Sequence, residues 1–158
     1  MNYPTTATYN HITERLYLGN LASFLLLSSS SVEEQKKWAV VTILSKEELC
    51  EYDRKVAFPR FIIKAMDSSR TNIKPVFRSA ASFIQESLAA GLDVLVHCAA
   101  GISRSSSVVI AFLMLKRGMT YDTALAFVKS KRKCVDPNPG FRFQLEELNR
   151  EIYPTAGF

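Results

Sequence analysis

Long apolar runs are missing from this sequence. The longest candidate, Val108 to Leu115, falls far short of the ~20 residues that cross a bilayer, so no membrane span and no membrane partner are expected. The N-terminus, Met1-Asn2-Tyr3-Pro4-Thr5, carries no basic, apolar secretory pattern, and Asn2 stands where myristoylation needs a glycine. A cytoplasmic or nuclear address follows as the expectation. Cysteine is scarce as well. Cys50, Cys98 and Cys134 form an odd, widely spaced set, which argues against a disulfide framework or a zinc site and fits a reducing compartment.

What is present describes an ordinary globular chain. With 158 residues, 47% apolar and 22% charged, the sequence suits one domain over residues 1–158, its core at about 11–153. A net charge of +5 favours anionic partners without naming one. The densest basic run, Lys129-Ser130-Lys131-Arg132-Lys133, reads as the solvated end of a helix. A docking patch for acidic or doubly phosphorylated substrates is the other reading of the same run.

Strand and helix patterns alternate along the chain. Residues 1–10 show no periodicity and are expected to be a loose arm, with His11 at the surface. Ile12 to Leu18 is expected as the first strand, Leu21 to Leu27 as a short apolar helix, and Ser31 with Glu34 as a capping box opening a helix through Trp38. Ala39 to Leu44 reads as a buried strand, and Ser45-Lys46-Glu47-Glu48 restarts a helix or turn. Phe61 to Ile63 is a further strand, and Asp67 follows its carboxyl end. A long amphipathic helix is expected from Ile73 to Ala90, stopped by Gly91. Gly118 ends the helix that follows the next strand, Thr120 caps another, and Asn138 with Pro139 opens the last, to Tyr153. The alternation predicts an α/β fold, a central and mainly parallel sheet with helices on both faces, and a ligand site beyond the carboxyl ends of the strands.

The stretch with the most chemistry is Val94-Leu95-Val96-His97-Cys98-Ala99-Ala100-Gly101-Ile102-Ser103-Arg104-Ser105. A β-branched and aliphatic run leads into a short loop and then into a buried helix. Such a loop turns backbone N–H groups inward and adds the positive end of a helix dipole, which makes an anion cradle. Gly101 allows a sharp turn and close approach. The planar guanidinium of Arg104 can hold two phosphoryl oxygens side by side. Cys98 sits where this positive potential gathers, which favours the thiolate, and the thiolate is the nucleophile. Ser105, at the helix start, is placed to donate its hydroxyl to a departing thiolate. His97 reads as a structural neighbour that hydrogen-bonds the loop rather than as an acid or base.

His97 to Ser105 resembles the signature loop of the cysteine-dependent protein tyrosine phosphatases, specifically the small dual-specificity branch. Leu16-Tyr17-Leu18-Gly19-Asn20 is similar to that branch's first strand, Asp67-Ser68-Ser69 to its acid loop, and Pro137-Asn138-Pro139-Gly140-Phe141 with Gln144-Leu145 to its last helix. The resemblance implies hydrolysis of phosphotyrosine and of phosphoserine or phosphothreonine in proteins through a phosphocysteine intermediate, without metal or cofactor. It also implies a phosphate held by Ala99, Ala100, Gly101, Ile102, Ser103 and Arg104, and Asp67 as general acid. The partner expected is a phosphorylated protein, not a nucleic acid. A non-protein phosphoester such as a phosphoinositide or an RNA end is the alternative. Related loops with that task tend to carry lysines between the cysteine and the arginine, where this chain has Ala99, Ala100, Ile102 and Ser103. An idle phosphate-binding module is the third reading.

Overall fold

The computed structural model describes residues 8–154. Five strands form one sheet in the order β1-β2-β5-β3-β4: Tyr9–Thr13, Leu16–Gly19, Asp93–His97, Trp38–Leu44 and Arg60–Lys64. The pairs β2·β5, β5·β3 and β3·β4 are parallel, while β1 lies antiparallel on β2 at one edge. Among the described residues, seven α-helices accompany the sheet: α1 Leu21–Ser28, α2 Val32–Gln35, α3 Lys46–Glu51, α4 Phe77–Ala89, α5 Arg104–Arg117, α6 Tyr121–Lys131 and α7 Pro139–Ile152.

The period of two in the strands sorts their side chains into two cores. Ala39, Val41 and Ile43 of β3 and Val94 and Val96 of β5 enter the larger core with α4, α5, α6 and α7. The intervening Val40 and Leu95 join Phe24 of α1 and Phe58 in a smaller core on the opposite face. Both faces of the sheet are therefore covered, which is why β3 and β5 read as continuous apolar runs rather than as alternating ones. Helix α5 is buried along nearly its whole length, from Arg104 to Met114.

Several expectations need correction. The first strand is not one run from Ile12 to Leu18 but a hairpin that turns at Glu14, a non-glycine residue at φ 53°. Tyr9 and Asn10 belong to β1 rather than to a loose arm; residues 1–7 lie outside the described residues. Ser31 caps α2 by accepting the Glu34 N–H, but that helix ends at Gln35 and Trp38 opens β3. The run after Ile73 begins as a 3₁₀ turn, Lys74–Val76, entered by the Val76 N–H bonding the Ile73 carbonyl three residues back, and α4 starts only at Phe77. Arg132 is no member of a solvated basic face, since it is 1% exposed. The caps behave simply. Gly91 and Gly118 stand at φ +83° and +70°, and Thr120 and Asn138 accept the N–H of Thr123 and Phe141.

Candidate active site

The chain between β5 and α5 starts at the carboxyl end of the central strand, where neighbouring connections leave the sheet on opposite faces and open a crevice. Its peptide orientation can be followed carbonyl by carbonyl. The Cys98 carbonyl accepts His97 Nδ1–H at 3.2 Å and the Ala99 carbonyl accepts the Leu21 N–H at 3.0 Å. Arg132 donates Nη2–H to the Ala100 carbonyl at 3.4 Å and Nε–H to the Gly101 carbonyl at 2.9 Å. The Ile102 carbonyl accepts the Asp136 N–H at 2.9 Å. All five carbonyls are thus held from outside the loop. In a trans peptide the next N–H points the opposite way, so the donors of residues 99 to 103 turn toward the loop centre. One of them, Gly101 N–H, donates to Cys98 Sγ at 3.2 Å.

Cys98 lies at the floor of this cradle, 2% exposed, and its sulfur is 3.1 Å from the Ser105 hydroxyl. Gly101 adopts φ +69°, and a Cβ there would come within 2.7 Å of both the Gly19 carbonyl oxygen and Arg132 Nη2. Conformation and space both demand glycine. Ser103 accepts the Asn138 N–H on its hydroxyl at 2.9 Å. Ser106 and Ser107 turn their buried hydroxyls back onto the Ile102 and Ser103 carbonyls, so the first turn of α5 leaves no hydroxyl wanting a partner.

Arg104 is 6% exposed, and a guanidinium has five N–H donors. Nη1 donates to Glu48 Oε1 at 2.7 Å and to the Ala65 carbonyl at 3.0 Å; Nη2 donates to Glu48 Oε2 at 3.3 Å. Those bonds leave the Nε edge of the fork, and Nε is the one buried side-chain polar atom without a partner among the described residues. Burial works against the Arg104 charge, but Glu48, the Cys98 sulfur and Asp67 outweigh it and raise its pKa. On Glu48 the bond from Arg104 is the largest influence. Against the opposing effect of burial, and with help from Ser45, it brings the carboxyl down to about 2.

Asp67 is exposed just beyond β4, and its Oδ1 accepts Asn138 Nδ2–H at 2.9 Å. Of the other aspartates, Asp53 lies just beyond α3, Asp93 begins β5 at the opposite end of that strand, and Asp122 lies in the first turn of α6, while Asp136, whose N–H holds the Ile102 carbonyl, has its carboxylate paired with Arg142. His97 is fully buried. Burial drives its pKa down to about 3 against the upward pull of the Cys98 carbonyl, so the ring is neutral. Because a carbonyl only accepts, Nδ1 carries the proton, and Nε2 accepts the Thr42 hydroxyl at 2.8 Å. Thr42 in turn accepts Arg60 Nε–H at 3.0 Å, and the Phe24 ring stacks on the imidazole at 4.8 Å.

Residues 16–151 match the family model for the dual specificity phosphatase catalytic domain. The chain belongs to the dual specificity phosphatase family. Dual specificity protein phosphatase 1 of Arabidopsis thaliana is 36% identical over 147 residues, covering 93% of this chain and 72% of the relative. The crystal structure of human tyrosine phosphatase-like serine/threonine/tyrosine-interacting protein aligns with TM-score 0.77 and 30% identity over 90% of this chain and 96% of that one. The structure of PTPMT1 in complex with PI(5)P, at 20% identity and TM-score 0.79 over 96% of this chain and all of that one, shares the fold.

Within this cysteine-dependent phosphatase, sequence reasoning overlooked three residues around the cradle. Glu48 was read only as part of a stretch that restarts a helix or turn; in the structure it closes a capping box on Ser45, and the same Oε1 that accepts the Ser45 N–H also accepts Arg104. A buried arginine needs a carboxylate, and that rule alone pointed to a search for one. Arg132 was absorbed into a basic run. Asn138 was read as a cap, which it is, but its amide also reaches Asp67.

Proposed function

We propose that this dual specificity phosphatase hydrolyses phosphotyrosine and phosphoserine or phosphothreonine in proteins through a phosphocysteine intermediate. The observation that carries the reading is the inward turn of the loop donors around Cys98 Sγ, completed by the open Nε edge of Arg104. Phosphoryl oxygens take the N–H groups of Ala99, Ala100, Gly101, Ile102, Ser103 and Arg104, and two of them meet the free fork of Arg104. Cys98 attacks in line. Asp67, protonated, donates to the leaving oxygen, and then as carboxylate takes a proton from the water that cleaves the phosphocysteine. Ser105, at 3.1 Å, stabilises the thiolate that leaves in this second step. His97 stays neutral and holds the Cys98 carbonyl outward.

A second reading, a phosphoinositide substrate, is favoured by the fold shared with the PTPMT1 complex. The residues between Cys98 and Arg104 oppose it, because none carries the positive charge that would match a polyanionic headgroup. Paired substitutions test the protein reading and the acid together. Cys98→Ser is expected to abolish turnover while phosphate-ester binding persists. Asp67→Asn is expected to slow phosphotyrosine hydrolysis by about 10²-fold yet leave a fluorinated coumarin phosphate, whose phenolate departs unaided, nearly untouched. Turnover by pure Cys98→Ser protein, or equal losses on both esters in Asp67→Asn, contradicts the mechanism. Faster release of phosphate from phosphoinositides than from phosphopeptides contradicts the substrate class.

A further inference from the structure

Between the end of β4 at Lys64 and the 3₁₀ turn at Lys74 the chain has no regular structure, and Asp67 stands in this stretch. A connection of this kind is normally mobile, and a carboxyl carried on it would be poorly aimed. Here one face of α7 fixes it. At Gly140 a Cβ would come within 2.0 Å of the Ser69 carbonyl oxygen, so the helix backbone lies directly against the loop. One turn on, Gln144 Oε1 accepts both Ile73 N–H at 2.8 Å and Lys74 N–H at 2.9 Å, while its Nε2–H donates to the Thr71 carbonyl at 2.8 Å. Glu147 and Glu151 then receive the Lys74 ammonium. Residues 140, 144, 147 and 151 follow the spacing of a single helical stripe.

Gln144 stands out within that stripe. Its amide serves three backbone groups of the loop at once, as a neighbouring strand would, and both lone pairs of its oxygen are engaged. Glutamate of the same length lacks the donor, and asparagine is one methylene short. The described bonds of Gln144 all go to the loop backbone and none to the residues of the cradle.

We infer that Gln144 is a positioning residue for the general acid, fixing the backbone of residues 71–74 so that the Asp67 carboxyl is held over the leaving oxygen. The inference rests on the assignment of Asp67 made above. It distinguishes Gln144 from a residue that merely stabilises the fold, because only a loss routed through the acid depends on the leaving group.

The test compares kcat/KM on phosphotyrosine and on a fluorinated coumarin phosphate for the full chain and its variants. Gln144→Leu is expected to lose about tenfold or more on phosphotyrosine and less than about twofold on the coumarin ester. Gln144→Glu, which keeps the acceptor for Ile73 and Lys74 but turns an oxygen toward the Thr71 carbonyl, recovers only part of the phosphotyrosine rate. On an Asp67→Asn background, Gln144→Leu costs nothing further on phosphotyrosine. Equal losses on both esters, or an undiminished effect in the double variant, overturn the inference and leave Gln144 a structural residue. If Asp67→Asn alone lacks leaving-group selectivity, the acid assignment falls and takes this inference with it. A selective Asp67→Asn beside an unselective Gln144→Leu overturns the Gln144 inference alone. Should Gln144→Leu fail to fold, Gln144→Asn, which withdraws the amide by one methylene, replaces it with the same expected selectivity.

Discussion

Replacing Glu48 by glutamine removes one charge and almost no volume, which isolates what the carboxylate does for Arg104. The carboxylate now takes one hydrogen from each Nη, while the Ala65 carbonyl takes a second from Nη1. A glutamine keeps one acceptor and turns its NH₂ toward a guanidinium that is also a donor. The drop of the Glu48 carboxyl from 4.5 to about 2 corresponds to roughly 3 kcal/mol if read without screening. Its side chain is 27% exposed, so solvent reduces this to about 1–2 kcal/mol. The sign follows from the direction. A carboxyl depressed in the folded state adds stability that is fully present above about pH 4.5 and is lost as pH falls toward about 2. At neutral pH, Glu48→Gln should therefore unfold more easily in urea by about 1–2 kcal/mol. The guanidinium, held by one acceptor fewer, should present its Nε edge less often. If the full 1–2 kcal/mol reaches the transition state, kcat/KM falls about five- to thirtyfold, and inorganic phosphate inhibits correspondingly less. Tighter phosphate inhibition in the variant would refute the reasoning, because it would mean that Glu48 competes with the substrate for Arg104 instead of orienting it. Reduced stability with unchanged kcat/KM would refute it too.

Other consequences can be measured separately. Ser105→Ala removes the hydroxyl 3.1 Å from Cys98 Sγ, so rapid-quench experiments should show a burst of alcohol product followed by a slower steady state; unchanged phases would reduce Ser105 to a helix-start residue. His97 is neutral in the folded chain down to about pH 3, whereas an unfolded histidine binds its proton near pH 6.5. The unfolded state therefore binds more protons between those values, and stability rises with pH through the window. At pH 5 the loss relative to neutral pH should be about 2 kcal/mol, read from urea midpoints, and His97→Gln should flatten the curve; a flat wild-type curve from pH 6.5 to 5 would contradict the burial argument.

Legibility in the sequence followed the range of the interactions. The caps at Ser31, Thr120 and Asn138 are local devices, spelled out within four residues, and were visible without coordinates. The continuous apolar runs of β3 and β5 announced strands covered on both faces. The hairpin at Glu14 was not visible, because a left-handed glutamate leaves no compositional trace of the kind that glycine or asparagine leaves. Trp38 followed a capping signal closely enough to look helical, while its actual state is set by pairing with Asp93 on a strand 55 residues away. Charge reports no direction either. Lys131 and Lys133 face solvent, and Arg132 between them turns inward to the Ala100 and Gly101 carbonyls and to Asn10. Cys98, Gly101, Arg104 and Ser105 stand together in one short stretch and can be recognised there. Glu48, Asp67, Arg132 and Asn138 reach the same place only through the fold, as Gln144 reaches the acid loop.

That dispersal bears on the birth of the enzyme. As the polypeptide leaves the ribosome, Cys98 and Arg104 emerge together, but the arginine that holds two of their loop carbonyls arrives some thirty residues later. The asparagine and the helix that secure the acid loop come later still. Long-range contacts of this kind form late. A nascent chain stalled before α7 carries the whole signature loop but lacks Phe141, Leu145 and Leu148 of the larger core as well as the support of the acid loop, so full phosphatase activity during synthesis is expected only once α7 has docked, not when the reactive cysteine has been made.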